Sequence, residues 1–110
     1  MRHRLLSGAA MVLLAQGAVI ERAWAQDAAH GRQLFLQDGC YECHGTVGQG
    51  GQSGPRIAPG TPGAGEIASY IRHPTGVMPP YSPGVVSDSD IADIHAYLAQ
   101  IQKPTAKIPD

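Results

Sequence analysis

Cys40-Tyr41-Glu42-Cys43-His44 puts two thiols and an imidazole within one short stretch, and its cysteines are the only two in the chain. C-x-x-C-H is the attachment pattern of a c-type haem. Thiols at this spacing can each add to one of the haem's vinyl groups, and the next side chain is then placed under the iron. An imidazole at that place is a good axial ligand. The expectation is one haem c, held covalently through Cys40 and Cys43, with His44 on the iron. Rival uses of the thiols are weaker. A C-x-x-C disulfide closes a very short loop and stabilises little by chain entropy. A thioredoxin-like motif sits in a βαβ context, and no strand precedes this one. A zinc site needs four ligands, and a second cysteine pair is missing.

The second axial position has several candidates. Beyond residue 25 Met78 is the only methionine, and His30, His73 and His95 are the other histidines besides His44. A lone methionine is commonly a core filler. Met78, however, lies in Gly76-Val77-Met78-Pro79-Pro80-Tyr81-Ser82-Pro83-Gly84, where no helical period asks for packing. Prolines fix φ there, and a thioether held on a stiff loop can stay on iron in both redox states. Met78 is therefore the expected ligand, while His30, His73 and His95 read as surface or partly packed residues. Metal-bound histidine usually donates its other ring N–H to a carbonyl or carboxylate. The carbonyl of Pro55, on a rigid unit, is a candidate partner for His44; an ordinary turn is the competing reading. Arg56 is either a partner for a haem propionate or a solvated loop cation.

Three helices are needed to position these groups. The first spans about Asp27 to Asp38, with Asp27 as N-cap, Ala28, Gly31 and Phe35 on one face, and Gly39 as the stop. Gly31 weakens that helix, which points to another element approaching closely. The stretch from Gly45 to Gly65 has no apolar period and reads as an ordered loop wrapped around something. A short helix follows from Gly65 to Arg72, with Ile67, Tyr70 and Ile71 inward and Pro74 closing it. The last helix opens on a capping-box pattern, Ser87-x-x-Asp90, and carries an apolar stripe of Ile91, Ile94, Leu98 and Ile101, with Tyr97 beside it. No convincing strand and no internal repeat is present.

Length and ends bound the rest. The basic start Met1-Arg2-His3-Arg4, the apolar run from Leu5 to Ile20 and the small-x-small Ala23-Trp24-Ala25 form a secretory signal peptide. Cleavage after Ala25 is expected; an uncleaved anchor is weaker, because Ser7, Gly8, Gln16 and Gly17 interrupt a short run. Residues 26–110 then form one domain. The whole chain has net charge −1, and losing Arg2, Arg4, Arg22 and Glu21 makes it more acidic. Nothing resembles the basic patch that nucleic acid requires. So small a domain, with a Gly- and Pro-rich middle, needs something in place of a large core. A covalent porphyrin would supply it.

Taken together these residues resemble the small class I cytochromes c of bacteria. Gly31-x-x-x-Phe35, Cys40-x-x-Cys43-His44, Gly54-Pro55, Met78-Pro79-x-Tyr81 and Tyr97-Leu98 stand in that family's order over nearly all of residues 26–110. The resemblance implies an all-α, cytochrome c-like fold of three main helices and long loops around one covalent haem, with the first and last helices crossing at Gly31, Phe35 and Tyr97. It implies thioether bonds from Cys40 and Cys43, axial ligands His44 and Met78, and support of His44 by the Pro55 carbonyl. The chain departs from the family after Gly-Pro, where Arg56-Ile57-Ala58-Pro59 replaces the usual residue, Leu and Gly, so propionate contacts do not transfer. The implied protein is a periplasmic carrier of single electrons between redox partners, a dehydrogenase donor and a downstream cytochrome or oxidase, and not an enzyme. It is expected not to bind nucleic acid, and not to insert stably into a membrane after signal cleavage. An alternative is the electron-accepting cytochrome subunit of a flavin or quinoprotein dehydrogenase, as in 4-cresol dehydrogenase. A haem sensor or enzyme with an open iron is a further one.

Overall fold

A computed structural model describes residues 26–102; the expected signal peptide lies outside them. Local chemistry sets the first helix. The Asp27 carboxylate accepts from the His30 backbone N–H at 3.0 Å and starts α1, Ala28–Gln37. Asp38 ends it, and Gly39 turns the chain left-handed at φ 78°, a conformation that glycine adopts without steric cost. The same glycine opens α2, Cys40–His44. This single turn adds a fourth element to the three helices expected.

The long loop after α2 is ordered by its own backbone bonds. Gly50 N–H donates to the His44 carbonyl at 2.7 Å, and the Ile57 and Ala58 N–H groups both donate to the Gly48 carbonyl, at 2.8 and 2.9 Å. It leads to α3, Ala64–Arg72. The Met78 loop then runs to α4, Asp88–Ala99. Here the capping box is complete: Ser87 Oγ accepts from the Asp90 N–H at 3.1 Å, and the Asp90 carboxylate accepts from the Ser87 N–H at 3.0 Å. The described residues contain helices and loops with no strand, so the fold is all-α. No helix among them is long and apolar enough to cross a membrane.

The principal helix contact is α1 against α4. A Cβ on Gly31 would overlap the Asp93 carbonyl and lie 2.8 Å from the Ile94 nitrogen, which accounts for glycine inside a helix. One turn along, the rings of Phe35 and Tyr97 meet at 5.7 Å with a 53° tilt, a favourable aromatic geometry. Phe35, Val86, Ile91, Ile94, Tyr97 and Leu98 are buried, and Ile101 is half-buried at the edge. His30 is exposed, as a surface residue should be, yet it is not idle. Its Nδ1 lies 2.8 Å from Asp93 Oδ2, while Asp93 Oδ1 accepts from the Asp27 N–H at 2.8 Å. Asp93 thereby clasps the start of α1 to the middle of α4.

Candidate haem site

One helical turn arranges the thiols. Cys40 and Cys43 are three apart on α2 and so share a face, and His44, four from Cys40, projects beside them. Cys43 is exposed and Cys40 half-buried. Burial pushes the Cys40 thiol up to about 11. A redox-active C-x-x-C depends on a lowered thiol pKa, the opposite of what burial does to Cys40.

His44 Nδ1 donates to the Pro55 carbonyl at 2.8 Å. A carbonyl can only accept, so Nδ1 carries a proton, and Nε2 is the ring nitrogen that could ligate a metal. The loop comes this close because Gly54 has no side chain: a Cβ there would stand 3.0 Å from the Cys43 carbonyl.

Cys40, Cys43, His44, Pro55 and Met78 all line one cavity of about 570 Å³. Its apolar wall includes the buried side chains of Phe35, Val86, Ile91, Ile94 and Leu98. That volume lies within the ~300–1,000 Å³ of ligand cavities. The residues present fit a haem in chemistry as well as size: an apolar lining, two thiols, and a nitrogen and a thioether of the kinds that can ligate iron. His30, His95 and Arg56 are not among the lining residues, nor is His73. Arg56 is exposed on the loop that Ile57 turns into the cavity.

The Met78 loop is pinned at both ends. Upstream, the Tyr70 hydroxyl donates to the Thr75 carbonyl at 2.9 Å. Tyr70 was expected to face inward; it lines the cavity but is 46% exposed, its hydroxyl reaching out to the loop. Downstream, Tyr81 N–H donates to the Ile71 carbonyl at 2.7 Å, and Arg72 Nη1 donates to the Tyr81 carbonyl at 3.0 Å. The roles of Arg72 and of Asp38, whose carbonyl accepts from the Tyr81 hydroxyl at 2.8 Å, carry no motif, and sequence reasoning did not find them. Burial raises the pKa of the Asp38 carboxyl, and its Oδ2 is buried without a partner.

A model of the family described as "Cytochrome C oxidase, cbb3-type, subunit III" matches residues 26–98. The chain belongs to this family of c-type cytochromes. Comparison with curated proteins and with solved structures gave no match. As a cytochrome c domain the protein carries covalently bound haem c and transfers electrons; it is not an enzyme. The departure after Gly54-Pro55 has a structural reading. Ile57 lines the cavity where the usual pattern has Leu, and Ala58 beneath it is fully buried, so the apolar wall is kept while the loop chemistry changes.

Proposed function

We propose that Cys40 and Cys43 hold the haem, that His44 Nε2 and the Met78 thioether are its axial ligands, and that the protein is a single-electron carrier. When bound, haem c supplies an iron that cycles between Fe(II) and Fe(III). The chain's own residues do the rest. Pro55 orients His44 and strengthens it as a donor through the Nδ1 proton. The apolar wall excludes water and lowers the local dielectric, which helps set the potential. Val77 and Tyr70, lining residues that are 94% and 46% exposed, form a mouth where a redox partner docks through a small, transient interface.

The observation that carries this reading is that a histidine whose Nδ1 is held by a backbone carbonyl and the one methionine beyond residue 25 line the same largely apolar cavity. An open iron would suit a sensor or an oxygen-handling enzyme; a thioether on the second position suits electron transfer. Export to the periplasm is supported by the basic start, apolar run and Ala23-Trp24-Ala25 site, and by a family match that begins at Gln26. For partners, the family's description names a cytochrome c oxidase, which makes an oxidase the favoured acceptor, with a dehydrogenase as donor. A fixed dehydrogenase subunit is the second reading, and it separates from a free carrier by gel filtration and by which enzyme reduces the protein.

The ligand set is tested by the weak red-region absorption of a Met–Fe(III) bond. The oxidised protein shows it, Met78→Ala abolishes it, and the reduced parent binds carbon monoxide poorly. Persistence of the band in Met78→Ala would remove Met78 from the site.

A further inference from the structure

Tyr81 stands three residues after Met78, and its main chain and side chain go to different parts of the molecule. Its N–H and C=O are both bonded to the end of α3, through the Ile71 carbonyl at 2.7 Å and Arg72 Nη1 at 3.0 Å. Its hydroxyl crosses to the Asp38 carbonyl at 2.8 Å, two residues before Cys40. Arg72 extends the same network through Nη2 to Asp88 at the first residue of α4, at 3.0 Å. The upstream pin of the loop, Tyr70 to Thr75, is local to α3 and its exit. Of the two phenols that pin the loop, only that of Tyr81 joins it to the segment that carries the haem-attachment motif.

Between Met78 and Tyr81 stand Pro79 and Pro80, whose fixed φ makes the link stiff. A restraint on Tyr81 is therefore felt at Met78. The ring of Tyr81 is half-buried and packs on the core with Cys40 and Ile71, so removing the hydroxyl alone leaves the packing in place.

We propose that Tyr81 is a positioning residue, its hydroxyl strapping the Met78 loop to the α1–α2 junction so that the thioether is held in its liganding position. This rests on Met78 being the ligand, as argued above. The strap joins two residues that line the cavity, Tyr81 and Asp38, independently of the iron bond, and it favours the Met-on arrangement over one in which the loop swings out.

The test uses the oxidised holoprotein titrated with imidazole, which competes with the thioether, and follows the red-region band. Tyr81→Phe raises imidazole affinity about fivefold, the equilibrium shift of one ordinary intramolecular hydrogen bond. Tyr97→Phe is the matched control. It deletes another phenol-to-carbonyl bond, from Tyr97 to Thr46 at 2.7 Å, away from the Met78 loop. That variant loses thermal stability but keeps parental imidazole affinity. Unchanged affinity in Tyr81→Phe, or an equal rise in both variants, overturns the strap. Retention of the band in Met78→Ala would instead overturn the ligand assignment, so the two failures are distinct.

Discussion

Replacing Gly31 by alanine tests the helix crossing on which the cavity wall depends. In an ordinary helix interior this change stabilises by up to about 1 kcal/mol. Here the new methyl group meets the Asp93 carbonyl and the Ile94 nitrogen of α4, main-chain atoms that cannot swing aside as a side-chain tip would. The helices must separate. Overpacking of this kind costs about 1–3 kcal/mol, and separation also loosens the Phe35–Tyr97 pair, worth about 0.5–1.5 kcal/mol. With the propensity gain offset, a net loss of about 2 kcal/mol is expected. For a domain of ~60–100 residues each kcal/mol moves Tm by about 4–8 °C, so Tm should fall by roughly 8–16 °C. Gly65→Ala is the internal reference: it lies in α3, and a Cβ there meets nothing within 4 Å. That variant should hold or gain stability. Thermal and urea unfolding of the holoprotein, followed by far-UV circular dichroism, reads both. A Gly31→Ala protein as stable as the parent would refute the close crossing.

Two further outcomes follow from the ends of the same helices. The hydrogen bond to Asp93 holds His30 above its ordinary pKa, and the same bond holds Asp93 below its own. The His30 contribution is complete below the ordinary histidine value of about 6.5 and is lost as pH rises through its raised value; that of Asp93 is complete above about 3.9 and is lost as pH falls through its lowered value. The clasp is thus whole between about pH 4 and 6.5, and melts taken from pH 6 to 8.5 should show a decline in Tm that His30→Ala flattens. Ser87→Ala removes the acceptor for the Asp90 N–H and should cost about 1 kcal/mol, read as a lower urea midpoint with unchanged slope.

The haem motif and the helix caps were legible because each is written in a few adjacent residues. Asp27, Gly39 and the Ser87–Asp90 pair act within one turn of their own position, and Gly31 betrayed the crossing by being the wrong residue for a helix. The α2 turn was not legible: Cys40–His44 is too short to display an apolar period, and its sequence is governed by attachment chemistry. Longer-range bonds were hidden for a different reason. His30 with Asp93, Arg72 with Tyr81, and Tyr81 with Asp38 join residues that only the folded chain brings together, and several of the acceptors are backbone carbonyls that every residue possesses.

That last point bears on His44. Its partner is the main-chain oxygen of residue 55, and no exchange of side chain at that position deletes the acceptor. On the ligation by His44 proposed above, the electronic setting of the iron is in this respect written in the path of the chain from Gly45 to Pro55. Point substitution at Pro55 can shift that path but leaves the oxygen in being. Adding or deleting a residue in the loop would carry it out of reach, so at residue 55 a change of side chain spares the acceptor where a change of loop length does not.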